Sequence, residues 1–284
     1  MTNAPTDAAP GDHASRELTK HDLYELCVQS PSHLVPFLRA VHGDDPRVLG
    51  EDFAGTAALS HLWADRGEQH AAIAIDLDAE ALAFRGDHPR VTTLAQNVIA
   101  DIDVDQGGKA DVIFVGNFSI GYWHTRAELV AYLSRVRDRL NPGGVFVCDT
   151  YGGESAYTLG DVHRDHWIPE NPRYPGHAGK RIRYTWEQRH ADPITGMVTD
   201  VLHFRVERAG VIEQEFFDAF VYEWRLWSIT EIRDAMDDAG FNTTEVYAKT
   251  ADAIDDEGNA YVLPIEDGED ELDDSYIVLI AGRG

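Results

Sequence analysis

The sequence predicts an α/β protein: a mostly parallel, Rossmann-like sheet flanked by helices, with an antiparallel β meander inserted after its fifth strand. Three observations carry that expectation. Short apolar runs alternate with amphipathic stretches between Arg47 and Asp149, the pattern of strands and helices wound into a parallel sheet. Three longer stretches with strand character follow, separated by turn residues, and read as consecutive hairpins. One more helix and two apolar strands then complete the sheet.

Taken in order, residues 1–18 are rich in Ala, Pro, Asp and Thr without periodicity and read as a disordered leader. Leu23, Leu26, Cys27, Leu34, Phe37, Leu38 and Val41 recur at helical intervals, interrupted at Ser30-Pro31-Ser32, which predicts two short helices with a break. Strands are predicted at 47–51, 71–76, 91–95, 111–116 and 144–149, and helices at 56–66, 79–84 and 125–140. The turn Asn141-Pro142-Gly143-Gly144 precedes the fifth strand. Residues 151–179, rich in Gly, His, Pro and Tyr, read as an irregular cover. Meander strands are predicted at 181–189, 197–208 and 212–226. Ser228 and Glu231 have capping-box spacing for a helix that Gly240 stops. Strands at 241–248 and 276–281 flank an acidic, mostly irregular loop at 252–274.

Composition narrows the function classes. With 284 residues, 43% hydrophobic and 10% aromatic, the chain is long and apolar enough for a large core. Its 50 acidic and 24 basic residues give a net charge of -26, a field that repels phosphate backbones and anionic headgroups. Nucleic acid and membrane partners are therefore not expected, and solubility explains the charge. Cys27 and Cys148 alone make neither a disulfide framework nor a cysteine zinc site. With no basic flank before an apolar stretch at the N-terminus, and no run near the ~18 apolar residues of a membrane span, a cytoplasmic protein is expected.

The chemistry sits where the first strand turns into a helix, at Val48-Leu49-Gly50-Glu51-Asp52-Phe53-Ala54-Gly55-Thr56-Ala57-Ala58-Leu59-Ser60. Small residues let a ligand approach the backbone, and the helix N-terminus offers free amides to a carboxylate. An acid closing the strand pairs with an ammonium. Further on, Asp76 ends the second strand with a carboxylate placed for two ribose hydroxyls. An adenosyl ligand with a zwitterionic tail satisfies all of these.

These residues resemble the class I S-adenosylmethionine-dependent methyltransferases, whose first motif is an acid-x-Gly-x-Gly-x-Gly loop. Glu51 takes the acidic place and Gly55 the central glycine, whereas Phe53 and Ala57 stand where the outer glycines are usual. EDFAGTA at residues 51–57, Asn117-Phe118-Ser119-Ile120 and Trp224-Arg225-Leu226-Trp227 are similar to a subgroup with EDFCGTA, NFSY and WRLW motifs, in the same order over residues 20–282. The resemblance implies S-adenosylmethionine as cofactor and a small-molecule acceptor. It implies that Glu51, Phe53, Gly55 and Thr56 shape the methionine end, that Asp76 and Leu77 hold ribose and adenine, and that Asn97 meets the adenine edge. Asn117 and Phe118, after the fourth strand, are expected to face the sulfonium. The division that follows is a cofactor-binding core with N-terminal helices at 19–150, a substrate cover at 151–227 and completion of the core at 228–284.

Methyl transfer is an in-line displacement driven largely by alignment, so no obligatory catalytic residue follows. Asn117, Tyr122 and His124 are candidates, with Tyr151 and Glu154 as further bases if the acceptor arrives protonated. His163, Asp165, His166 and His177 form a weak metal pattern, and no metal is expected. Arg181, Arg183 and Arg225 would serve a carboxylate acceptor or else lie on solvated faces. Two other readings stand beside this one: a non-catalytic or regulatory cofactor-binding protein, and a nicotinamide-dependent oxidoreductase. Phe53 at the first glycine of a G-x-G-x-x-G counts against the latter. Nothing in the sequence sets the oligomeric state.

Overall fold

A computed structural model describes residues 16–100, 108–266 and 272–284. Most of the predicted leader, residues 1–15, lies outside the described residues. Its last residues belong to the folded chain: Leu18 is buried with Leu23, Ile182 and Phe204, and Arg16 pairs with Asp22 at 2.6 Å. The apolar side chain and the ion pair hold a segment whose composition alone predicts disorder.

Helix α1 (Lys20–Cys27) begins at a capping box of Thr19 and Asp22. Helix α2 (Pro31–His42) starts with Pro in its first turn and ends at Gly43, φ +90°. The main sheet then builds through β1 (Val48–Asp52), α3 (Ala58–Ala64), β2 (Ala71–Asp76), α4 (Ala79–Ala83), β3 (Val91–Ala95), β4 (Ala110–Val115), α5 (Arg126–Arg139) and β5 (Leu140–Gly153). Beyond the meander come α6 (Ile229–Asp238), β10 (Thr243–Ala248) and β13 (Ser275–Arg283). The strand order is β10-β13-β5-β4-β1-β2-β3. Only β13 runs against its neighbours, β5 and β10. β1 sits between β2 and β4 at the point where the winding reverses, the place where ligands of open α/β sheets bind at the C-terminal strand ends.

Period-two alternation divides the core between the two faces of the sheet. Phe146 and Cys148 of β5 pack with Tyr132, Val136, Trp227 and Met236. Val145 and Val147 pack on the opposite face with Phe37, Leu38 and Trp63. α6 carries the expected capping box of Ser228 and Glu231, and Gly240 stops it in the left-handed region.

The meander has four strands rather than three: β6 (Gly160–Trp167), β7 (Arg181–Asp192), β8 (Met197–Arg208) and β9 (Val211–Arg225), in that order. β6 falls within the stretch predicted to be irregular. It is an edge strand whose residues are nearly all exposed, so no apolar alternation marks it. Its pairing with β7, Val162 opposite Trp186 and Arg164 opposite Tyr184, supplies its order. The acidic loop likewise contains a short ladder of β11 (Ala253–Ile254) and β12 (Ala260–Tyr261), and β12 lies against α2. Part of that loop, residues 267–271, lies outside the described residues.

Candidate functional site

The chain leaves β1 through a tight reversal into α3. Phe53, Gly55 and Ala57 there all adopt left-handed backbone, with φ of +58°, +54° and +55°. That region costs a residue with a Cβ about 1–2 kcal/mol. Two positions where the resemblance expects glycine thus keep glycine's conformation without glycine. Packing holds them: Ala57 is fully buried, and the Phe53 ring stacks on Tyr122 with centroids 5.5 Å apart. Strain concentrated in one loop marks a place where backbone geometry has been held for a purpose.

The two acids that close β1 point to opposite faces. Glu51 accepts from the backbone N–H and hydroxyl of Ser60, at 2.9 and 2.6 Å, both on Oε2. Oε1 accepts nothing from the described residues, and Glu51 lines the cleft described below. Burial pushes its carboxyl up to about 7, against the Ser60 hydrogen bonds, with Asp76 adding to the rise and Arg85 opposing it. Asp52 is instead locked into the opposite core by Arg139, at 2.8 and 3.0 Å, and by the Tyr132 hydroxyl at 2.7 Å.

Asp76 ends β2 and reaches back to the loop. Its Oδ2 accepts the Gly55 N–H at 2.7 Å and its Oδ1 the Asp78 N–H at 2.9 Å. Leu77 beside it is a 72% exposed apolar side chain. Asn97 follows the residue whose N–H bonds the Asp76 carbonyl, and its own side chain accepts from Ile99 N–H. Thr56 is buried, with its hydroxyl 3.3 Å from Gln29 Oε1 in the break between α1 and α2.

Asn117 and Phe118 after β4 are also left-handed, at φ +54° and +62°. Asp149 of β5, which the sequence reading passed over, receives both of their amides at 3.0 and 2.7 Å. Burial raises its carboxyl to about 6, against those two hydrogen bonds and the pull of Lys249. Phe118 meets Tyr151 of β5 and, in the meander, Trp186 and Trp224, with ring centroids at 4.9, 5.3 and 6.0 Å.

A cleft of about 530 Å³ runs from these loops between α2 and the meander. Glu51, Phe53, Asn117 and Phe118 line it together with Asp149, Arg164, Tyr184, Trp186 and Lys249. Gly55, Thr56, Asp76, Leu77 and Asn97 stand outside this lining, on the β2 side of the loop. Tyr122 joins through its stack on Phe53. His124 stands apart, exposed, with Nε2 3.0 Å from the Glu223 carbonyl oxygen. Glu154 is exposed and also outside the lining, and the Tyr151 hydroxyl is committed to Asp200.

Other sequence candidates disperse. His163 meets Asp161 and Thr185, Asp165 holds Arg181 and Arg183, and His177 faces the Arg16 carbonyl. Glu187, His203 and Asp218 come together on the outer face of the meander, where the Arg189 guanidinium already pairs with both acids. Arg225 pairs with Glu231 and lies over the Trp227 ring. These contacts favour the solvated-face reading of Arg181, Arg183 and Arg225.

Asp200, also missed, is fully buried on β8 and accepts from the Tyr151 hydroxyl at 2.9 Å and Trp186 Nε1 at 3.0 Å. It thereby fixes a ring of the cleft wall. Burial raises its carboxyl to about 6, with both hydrogen bonds opposing the shift. Since the folded value exceeds the unfolded one, its contribution to stability is present at low pH and lost as pH rises from about 4 through about 6. Asp200→Asn keeps an acceptor for Trp186 and removes the buried charge. It is expected to raise the unfolding free energy at pH 8 by ~2–3 kcal/mol and to change it little at pH 4. Urea unfolding at both pH values checks this, and an equal effect at both would contradict it.

No family model matches the sequence, and no curated protein matches it. Solved structures do match. An S-adenosylmethionine-dependent methyltransferase from Clostridium acetobutylicum is similar with a TM-score of 0.59 and 16% identity, over 92% of this chain and 96% of that one. An amino pentose methyltransferase from Micromonospora echinaspora, solved with S-adenosylmethionine bound, gives 0.62 and 17%, over 96% and 100%. A sugar N-methyltransferase from Streptoalloteichus sp. gives 0.61 and 16%, over 100% and 99%. The shared feature is the Rossmann-like class I methyltransferase fold.

Proposed function

We propose that the protein is a cytoplasmic enzyme that transfers a methyl group from S-adenosylmethionine to a small molecule. The observation that carries this reading is the convergence of the strained Phe53–Ala57 loop, Asp76 and Asn117 at the C-terminal ends of β1, β2 and β4, beside one cleft. In this reading the remaining acceptor capacity of Asp76 takes the ribose, exposed Leu77 covers the adenine face and Asn97 meets its edge. Gly55 and Thr56 shape the loop, and Glu51 Oε1 receives the ammonium of the methionine end. Asn117 and Phe118 face the methyl group, with Tyr122 closing the wall behind Phe53. Residues 19–150 and 228–284 form the cofactor-binding core, and residues 151–227 cover the acceptor. Alignment of nucleophile, methyl carbon and sulfur is the main contribution to rate, with no general base assigned. The neighbouring sugar methyltransferases support a small-molecule acceptor. No helix among the described residues is long and apolar enough to cross a membrane.

The nicotinamide alternative is disfavoured by the same loop. Its central amide, Gly55 N–H, is already given to Asp76, and Phe53, packed on Tyr122, stands where a pyrophosphate-binding loop needs its first glycine.

Titration calorimetry with S-adenosylmethionine, S-adenosylhomocysteine and NADH tests the reading, with binding expected for the two sulfur ligands alone. Glu51, raised to about 7 by burial, is largely neutral at pH 6 and ionised at pH 8. Affinity for the ammonium-bearing ligands is therefore expected to rise up to about 10-fold across that interval, and Glu51→Gln should flatten the profile. Binding of NADH instead of the sulfur ligands would overturn the proposed chemistry. A flat wild-type profile would remove Glu51 from the ammonium.

A further inference from the structure

The carboxylates that face the cleft already have internal donors: Glu51 has Ser60, and Asp149 has the amides of Asn117 and Phe118. The two full cations in the lining have none: Arg164 and Lys249 make no ion pair or hydrogen bond with the described residues. This contrasts with the rest of the meander. Arg181, Arg183, Arg189, Arg205, Arg208 and Arg225 each hold at least one acid, as a chain with a net charge of -26 readily allows. Arg164 is the arginine of β6–β9 left out of that network.

The two cations come from distant elements, β6 and the segment after β10, yet both line the same cleft, and both are exposed. Partial desolvation there lowers the Lys249 ammonium, Asp149 opposes that shift, and Arg164 adds a smaller depression. Asp149 is the acid that acts on Lys249, but it makes no hydrogen bond or ion pair with it and already holds the Asn117 and Phe118 amides. An anion that binds both cations supplies the direct contact each of them lacks. Strand order sets where such an anion would lie. Asp149 is on β5 and Lys249 follows β10, whereas Asp76 is on β2, across β4 and β1. The cations thus flank the cleft on the side away from the proposed adenosyl shelf. Arg164 pairs in register with Tyr184, and both Tyr184 and Trp186 line the same space.

We propose that Arg164 and Lys249 together bind an anionic oxygen group, carboxylate or phosphate, on the methyl acceptor, with Tyr184 and Trp186 covering its uncharged part. This rests on the methyltransferase reading for the word acceptor, but the anion site itself does not. Guanidinium supplies a planar two-pronged donor and the ammonium a compact charge, a combination that fits either oxyanion. The large negative field of the chain makes such a local pair necessary for an anionic molecule to enter.

The test uses phenyl phosphate and benzoate as probes, with benzamide as the neutral control, titrated calorimetrically into protein saturated with S-adenosylhomocysteine at fixed ionic strength. One or both anions are expected to bind and benzamide not to. The stronger of the two identifies phosphate or carboxylate as the acceptor group. In Arg164→Gln/Lys249→Gln, anion affinity should fall at least about 10-fold, while S-adenosylhomocysteine binds as before and circular dichroism is unchanged. The proposal is overturned if neither anion binds better than benzamide or if the double variant binds them like the wild type. It is equally overturned if the variant loses S-adenosylhomocysteine instead, because the cations would then hold the cofactor's own carboxylate. Should the wild type fail to bind S-adenosylhomocysteine at all, the methyltransferase reading fails. The same anion titrations on the free protein then still decide whether Arg164 and Lys249 form an anion site.

Discussion

Asp76→Ala is expected to lower S-adenosylhomocysteine affinity by about 100-fold or more, because one side chain holds the loop and offers the ribose acceptors. Read from the sequence, Asp76 is a strand-end carboxylate with few other duties. In the structure it accepts the Gly55 N–H at 2.7 Å and the Asp78 N–H at 2.9 Å. Hydrogen bonds to a charged group contribute about 1.5–3 kcal/mol each. Losing the Gly55 bond releases a glycine held at φ +54° between two strained neighbours, Phe53 and Ala57. Asp76→Asn separates the two duties, since it retains one acceptor for Gly55 while giving up the paired oxygens suited to a ribose diol. It should lose less affinity than Asp76→Ala and melt closer to the wild type. Calorimetry and thermal unfolding on both variants check this. Wild-type affinity in folded Asp76→Ala would remove the adenosyl group from β2.

The parts of this arrangement that were legible in the sequence are those with a local signature. Alternating apolar runs located β1 to β5, and the Ser228–Glu231 spacing located the start of α6, because both patterns arise within a few residues. Three strands of the meander were visible for the same reason. β6 was not, since an exposed edge strand of Gly, Asp, His and Arg gains its order from β7 rather than from its own periodicity. Asp149 and Asp200 were missed because their significance lies in partners from other elements: the amides of Asn117 and Phe118 in one case, Tyr151 and Trp186 in the other. An acid at the end of an apolar strand, or within one, was the only available signal. Arg181, Arg183 and Arg225 drew attention as arginines on strands, yet Arg164 faces the cleft. Which cation lacks a counter-ion is a property of the folded charge network.

Arg139→Met is expected to lower the unfolding free energy by about 3–5 kcal/mol, the usual cost of removing one partner from a buried ion pair. The Asp52 side chain has no exposed surface and that of Arg139 is 6% exposed, so solvent cannot replace the lost partner. Gly50 makes room for this pair: a Cβ there would come within 3.4 Å of Arg139 Nη2 and 3.2 Å of Ile113. Without the guanidinium, Asp52 keeps only the Tyr132 hydroxyl, at 2.7 Å. The double variant Asp52→Asn/Arg139→Met leaves that hydroxyl an acceptor and removes the uncompensated charge, so it should recover most of the loss. Urea midpoints for the wild type, Arg139→Met and the double variant test the argument, and a wild-type midpoint for Arg139→Met would refute it. The outcome bears on the site because Asp52 stands between Glu51 and Phe53. The same residue that secures the end of β1 to α5 sets the starting point of the strained loop. Destabilisation without recovery in the double variant would mean that Arg139 acts through its packing against Gly50 and Ile113 rather than through its charge.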